Sequence, residues 1–241
     1  MPDPDFFIGL KHSDLQGASD MNFYAINGSP RKKGNTAEVL KKALEGVHSL
    51  LPAAGTELVH LYDLDFTGCR SCFACKRKGG ASYGRCAVRD GLPPLLEKLA
   101  DADGIIFGSP IYFMGVSGAL RALLERLLFP FIVYDAAYSS LAPKRMPTAF
   151  VYTMNITETD MAGFKLPALL SPMETFVARI FSGPEILSVC NTVQFDDYSK
   201  YMAERFSETD KKRHREEHFP EVLRHAFAMG VRMAERAGLP A

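Results

Sequence analysis

What most constrains this chain is an alternation: short, nearly continuous apolar runs separated by stretches in which apolar residues recur at helical spacing. Phe23-Tyr24-Ala25-Ile26 is the first run, with no charged residue inside it. A strand that buries one face alternates apolar and polar residues, whereas an unbroken run suits a parallel strand covered by helices on both faces. Leu58 to Tyr62, Gly104 to Phe107, Thr148 to Tyr152 and Ile186 to Val193 repeat the pattern. Between them, helical spacing is read in Val39, Leu40, Ala43, Leu44 and Val47, from Leu92 to Leu99, from Ala119 to Leu128 and from Ala168 to Phe181. Asn35, with Glu38 three residues later, reads as a helix N-cap with its capping-box partner. This order specifies an α/β domain with a doubly wound, five-stranded parallel sheet.

Composition narrows the function classes. The chain has 241 residues, 47% of them hydrophobic, and 28 Lys plus Arg balance 28 Asp plus Glu. That apolar fraction and zero net charge exclude a disordered chain. One core suits the length. No stretch reaches the ~18 apolar residues of a membrane span, because Asp135 interrupts the longest candidate, Leu127 to Ala142. Asp3 and Asp5 stand where a secretory signal carries basic residues, so a cytoplasmic location with reduced thiols is expected. Neither a membrane nor nucleic acid is an expected partner, the latter because its binders usually carry a basic excess. Residues 1–20 have no period and read as an N-terminal tail, 21–195 as the domain, and 196–241 as a C-terminal helical extension. In the extension Phe219, Leu223, Phe227 and Gly230 recur at helical spacing behind Pro220, a suitable first helical residue. One or two helices are expected there, packed on the domain or on a second subunit.

The first strand runs into Asn27-Gly28-Ser29-Pro30-Arg31-Lys32-Lys33-Gly34-Asn35-Thr36 and then a helix. At the carboxyl edge of such a sheet, a helix N-terminus offers an anion unpaired N–H groups and a positive dipole end. Ser29, Asn35 and Thr36 add neutral donors, Arg31 a fork for phosphate oxygens, and Gly34 room for close approach of the backbone. A Walker A loop does not fit the spacing from Gly28 to Gly34, and GxGxxG is absent. The alternative is a tight turn with an ordinary helix start. A second loop, Gly108-Ser109-Pro110-Ile111-Tyr112-Phe113-Met114-Gly115-Val116-Ser117-Gly118, follows the third strand. Taken alone, Tyr112 and Phe113 are also compatible with core packing.

Together these loops resemble the GSPRxxGNT and SPxYxxxxxG signatures of the NADPH-dependent FMN reductase superfamily, a flavodoxin-like branch. The resemblance implies FMN, with Ser29, Arg31, Gly34, Asn35 and Thr36 at its phosphate. It implies Pro110, Ile111, Tyr112, Phe113, Met114 and Gly115 around the flavin ring, and Thr153, Met154 and Asn155 as a third contact. A flavin is a flat amphipathic plate and asks for apolar contact on its face and hydrogen bonds at its rim. The resemblance also implies NAD(P)H as co-substrate and a homodimer or homotetramer, with residues 195–201 and the helical tail as candidates to reach a second subunit.

Between the second strand and the next helix lies a cysteine-rich loop, residues 63–90, far longer than the ~4–6 residues usual for such connections. It holds Cys69-Arg70-Ser71-Cys72-Phe73-Ala74-Cys75 and, after ten residues, Cys86. The fifth cysteine, Cys190, reads as an inert buried thiol. Three explanations compete. C-x2-C-x2-C lets closely spaced thiolates wrap one cubane, with a fourth ligand from further along. Zinc also takes four thiolates, usually as two knuckles across a longer span. Free or redox-active thiols are the third. Within the superfamily, a compact C-x2-C-x2-C-x(4 to 7)-C run marks the iron–sulfur flavoproteins, which this chain resembles from about Met21 to Phe195. That implies Cys69, Cys72, Cys75 and Cys86 as ligands of a [4Fe–4S] cluster. The ten-residue gap departs from the pattern. From Cys69 to Arg89 there are six cations, Arg70, Lys76, Arg77, Lys78, Arg85 and Arg89, and no carboxylate. Cations beside a negative cluster favour its reduction. The same patch suits an acidic electron-transfer partner, or a merely solvated loop.

The expected function is an FMN-dependent oxidoreductase passing electrons from NAD(P)H or another donor to a [4Fe–4S] cluster or a small acceptor. The cofactor carries the chemistry, so no catalytic side chain is assigned; His48 and His60 read as surface residues. The rivals are a non-enzymatic electron carrier between ferredoxin-like partners, an FMN reductase without a cluster, and a zinc-stabilised binding module.

Overall fold

The computed structural model describes residues 18–238, so most of the expected N-terminal tail lies outside the described residues. Its strands are β1 (Asn22–Asn27), β2 (Gly55–His60), β3 (Gly104–Tyr112), β4 (Gly115–Val116), β5 (Thr148–Thr153) and β6 (Glu185–Val189). Its α-helices are α1 (Asn35–Leu50), α2 (Pro93–Ala100), α3 (Gly118–Phe131), α4 (Glu158–Gly163), α5 (Leu166–Ile180) and α6 (Glu208–Ala237). Five strands form a parallel sheet in the order β2-β1-β3-β5-β6, the flavodoxin-like order, which reverses direction between β1 and β3. The sixth strand, two-residue β4, pairs antiparallel with the end of β3 and was not anticipated.

The apolar runs divide by the two-residue period of a strand. Phe23, Ala25, Ile106, Ala149 and Val151 face α1 and α6, where Val39, Leu40, Ala43, Met229 and Met233 close one core. Tyr24, Ile26, Ile105, Phe107, Phe150 and Tyr152 face the opposite way, onto Leu95, Leu99, Leu123, Leu127 and Val177 of α2, α3 and α5. Helix α6 lies against α1 of its own chain through two glycines. A Cβ on Gly46 would sit 2.0 Å from the Phe227 carbonyl oxygen, and one on Gly230 would sit 1.9 Å from that of Ala43.

Several boundaries differ from expectation, each for a local reason. Strand β2 begins at Gly55 because an edge strand is half exposed and tolerates Thr56 and Glu57, which hide it from an apolar reading. Helix α1 begins at Asn35 itself, with Gly34 as the residue before it and no side-chain cap, so Asn35 is not an N-cap. Pro220 is not a first helical residue either: α6 starts after Ser207, whose Oγ accepts the Asp210 N–H, and runs on through Pro220. Pro220 and Glu216 are both exposed, which leaves the carbonyl that loses its partner to water. Among the described residues no helix is long and apolar enough to cross a membrane.

Candidate functional site

All five parallel strands end on one edge, and the loops from β1, β3 and β5 meet there. Asn27 accepts the Ser29 N–H on Oδ1 at 3.1 Å, and Ser29 Oγ accepts the Arg31 N–H at 3.2 Å. These side chains turn the loop by taking over backbone hydrogen bonding. The Asn27 amide also meets His60 Nδ1 at 2.9 Å, so His60 is a brace rather than a free surface residue, and burial lowers its pKa. The Gly28 N–H donates to the Gly108 carbonyl at 2.8 Å. Ser117 Oγ donates to the Gly28 carbonyl at 2.6 Å while accepting the Leu120 N–H as the cap of α3. A Cβ on Gly28 would approach Leu120 Cβ to 2.9 Å, so only glycine lets the two loops join.

The side chains expected to hold a phosphate are tied to neighbours. Arg31 donates to the Gln194 carbonyl, Asn35 donates to the Val193 carbonyl, and the Thr36 hydroxyl meets that of Thr153 at 2.7 Å. Arg215, from α6, spans Asn35 Oδ1 at 2.6 Å and Glu38 at 2.7 Å. Asn35 therefore anchors the loop to α6. For an anion, the head of α1 offers mainly the N–H groups of its first turn, behind Gly34.

The β3–α3 loop is a hairpin whose two turn residues, Phe113 (φ 47°) and Met114 (φ 63°), are both left-handed. This is the type I′ geometry that suits the twist of the strands and normally selects Asn-Gly. With side chains at both positions it costs about 1–3 kcal/mol per residue, a strain that accumulates at functional sites. Ser109 Oγ accepts the Ser117 N–H at 2.8 Å and ties the hairpin base. Pro110, Ile111 and Gly115 are half-buried, Tyr112 is 48% exposed and Phe113 is wholly exposed. The Tyr112 phenol is raised by burial and by Tyr62 and lowered by Arg31, three groups gathered at one mouth. Tyr62 was missed; its signal was a large aromatic residue just beyond the end of a strand. Of the third loop, Thr153 and Met154 are buried and pack inward, and Asn155 alone approaches the surface. Asn155 Oδ1 is buried without a hydrogen-bond partner. Its carbonyl accepts from Lys211 Nζ, a buried ammonium whose pKa burial brings down to about 8.

The cysteine loop follows β2 and lies along α3. Cys69, Cys72, Cys75 and Cys86 all line one cavity, closed by Phe73, Val88, Glu125, Arg126 and Phe129. Ser71 (φ 51°) and Phe73 (φ 54°), on either side of Cys72, are both in the left-handed region and turn the run sharply there. Such turns gather backbone N–H groups into concavities that suit anions and iron–sulfur clusters. The ten residues between Cys75 and Cys86 loop outward. Gly84 returns its N–H to the Cys75 carbonyl at 3.0 Å, so the long gap still delivers Cys86. Among the described residues no group of three or more His, Cys, Asp or Glu side chains is assembled to hold a metal ion.

Two cations in this region have structural duties. Lys76 donates to the carbonyls of Phe129, Pro130 and Ile132, capping the C-terminal end of α3, and stands 4.4 Å from the Phe129 ring centre. It is not a free member of the basic patch; Arg70, Arg77, Lys78, Arg85 and Arg89 are exposed. Arg126, from α3, has a side chain with no solvent exposure. It donates to Cys86 Sγ at 3.3 Å, to the Thr67 carbonyl at 3.0 Å, to the Val88 carbonyl at 3.1 Å and to Asp90 at 2.5 Å. Cys190 is buried just past β6, and burial pushes its thiol up to about 11.

Residues 21–177 match the profile of a family described as NADPH-dependent FMN reductase. An iron–sulfur flavoprotein of Methanocaldococcus jannaschii is 38% identical over 106 residues, covering 44% of this chain and 51% of that protein. An iron–sulfur flavoprotein of Archaeoglobus fulgidus is 38% identical over 106 residues, 44% of this chain and 48% of that one. The matched segment thus spans about half the length of these relatives. A solved NAD(P)H:quinone oxidoreductase from Methanothermobacter marburgensis superimposes with a TM-score of 0.62 at 16% identity, covering 88% of this chain and 98% of that one. At that identity the likeness concerns the fold.

Proposed function

We propose, for a chain that belongs to the NADPH-dependent FMN reductase family, that it is an FMN-dependent oxidoreductase of the iron–sulfur flavoprotein type. The observation that carries this reading is that α3 serves both loops. Its head, Ser117, ties the hairpin to the β1 loop, and its middle and end, Glu125 to Pro130, close the four-cysteine cavity. About 14 Å of helix axis separates Ser117 from Arg126 at 1.5 Å per residue.

FMN, when bound, supplies two-electron uptake from a hydride donor and release of electrons singly. The N–H groups at the head of α1, with Ser29, Arg31, Gly34, Asn35 and Thr36, would hold its phosphate, Asn35 acting through the scaffold. Pro110 to Gly115 and, from the third loop, Asn155 would hold the ring. Tyr62, Tyr112 and Phe113, all exposed at this mouth, would supply the apolar contact a flat ring needs. Hydride arrival needs no side-chain acid or base, so none is assigned. Cys69, Cys72, Cys75 and Cys86 would hold a [4Fe–4S] cluster, which supplies one-electron transfer. Four cysteines around one cavity match a cubane, in which each iron takes one cysteine.

NAD(P)H is the proposed donor, and the exposed basic loop suits an acidic, ferredoxin-like partner. Association of two copies is proposed on the α5 side. Leu169 and Phe176 are half exposed there beside an apolar groove of about 280 Å3 that includes Cys69, Leu128 and Met173. Protein purified without oxygen should yield FMN on extraction and bleach its flavin band with NADPH or NADH. Bleaching only by a reduced ferredoxin would make the protein an electron carrier, and absence of extractable FMN would refute the reading.

A further inference from the structure

We propose that Arg126 is a positioning residue that fixes the fourth cysteine, Cys86, and biases the cluster toward its reduced state. This rests on the [4Fe–4S] reading above. Cys86 faces a problem that Cys69, Cys72 and Cys75 do not, since those three are held two residues apart while Cys86 follows a ten-residue excursion. Arg126 resolves it from outside the loop. Its guanidinium is fully buried and grips the loop on both sides of the cysteines, at Thr67 before them and at Val88 and Asp90 after them. The group left over in that grip, Nε–H, points to Cys86 Sγ at 3.3 Å. A planar fork is needed for this, because only a guanidinium holds so many donors in fixed directions.

The same arrangement has an electrical consequence. Reduction adds an electron to a cluster that already carries thiolate charge, and an N–H donor or cation beside a ligating sulfur stabilises the more negative state. Arg126 is on the favourable side of Cys86, while Asp90, which it pairs at 2.5 Å, sets a carboxylate against the far side of the same guanidinium and opposes it. Asp90 is 14% exposed and also accepts the Leu92 and Thr67 N–H groups, so its charge is fixed in place. Arg126 and Asp90 should therefore act on the cluster with opposite signs.

The test uses the whole anaerobically purified protein and the variants Arg126→Lys and Asp90→Asn, each assayed for iron and sulfide, for FMN, and for the cluster midpoint potential by redox titration. Arg126→Lys keeps the charge near Asp90 but cannot also span to Cys86. It should shift the one-electron reduction equilibrium about tenfold toward the oxidised cluster, roughly 59 mV. Asp90→Asn should shift it in the opposite direction, and the FMN potential should move less than the cluster's in both. Retained iron with unchanged potentials, or shifts of one sign in both variants, would overturn the proposal and assign Arg126 to packing alone. Wild-type protein without iron would instead overturn the cluster reading, and the proposal with it.

Discussion

The two loop systems on the carboxyl edge are built in opposite ways. The flavin side is made of short loops between regular elements. Its parts are joined by backbone and hydroxyl contacts among Gly28, Gly108, Ser109 and Ser117, and Arg215, which ties α1 to α6 there, is half exposed. The cysteine side is a long connection with almost no regular structure, held by one fully buried cation. A site made of regular elements inherits its geometry from the sheet, whereas an irregular one needs an internal fastener. Damage should therefore be distributed on the first side and concentrated at Arg126 on the second.

The largest effect expected is Cys72→Ala. Iron should fall from about four per chain, the content of one cubane, to under one, while FMN content stays at the wild-type level. Loss of FMN together with iron, in a protein that keeps its melting temperature, would show that the two sides are not separate. Next comes a matched pair. Arg126→Met strands Asp90 in a nearly closed pocket and should cost about 3–5 kcal/mol in urea unfolding. Arg215→Met, which breaks a half-exposed bridge to Glu38, should cost about 1 kcal/mol or less. Equal costs would remove the contrast between fastener and scaffold. Gly230→Ala sharpens the scaffold side. Alanine is the better helix former, yet its Cβ would collide with the Ala43 carbonyl, so a loss of about 1–3 kcal/mol is expected.

The smallest effect concerns Lys211, on the flavin side. Folded, its ammonium titrates at about 8, against an ordinary value of 10.5, with burial as the first cause. Between those two values the unfolded chain holds a proton that the folded chain has released, so stability rises with pH there and carries the full penalty below pH 8. Lys211→Met should therefore be the more stable protein at pH 7, by about 1–2 kcal/mol. The gap should close as pH rises toward 10.5. A variant that is less stable at pH 7 would mean that the Asn155 contact outweighs the burial.

Much of this was legible in the residues because it depends on local pattern. The apolar runs marked β1, β3 and β5, and the two loop signatures marked where ligands would meet the edge. Where the reading failed, tertiary contacts had decided. Asn35 looked like a cap because its spacing to Glu38 is right, but Arg215, 180 residues away, uses both of them. Lys76 looked like one cation of a patch because nothing in its neighbourhood reveals the α3 carbonyls it caps. The function of Arg126 was invisible for the same reason: within a helix it reads as a charge bordering an apolar run, and its partners come from residues 67–90.

The central claim is that one chain carries both FMN and a four-cysteine cluster. It is tested most directly by the absorption spectrum of anaerobically purified protein together with iron and acid-labile sulfide analysis. The account predicts flavin bands on a broad shoulder that bleaches on reduction, with about four irons and four sulfides per chain, as one [4Fe–4S] centre requires. Flavin bands alone, with all four thiols of Cys69, Cys72, Cys75 and Cys86 free to alkylation and no iron, would contradict it.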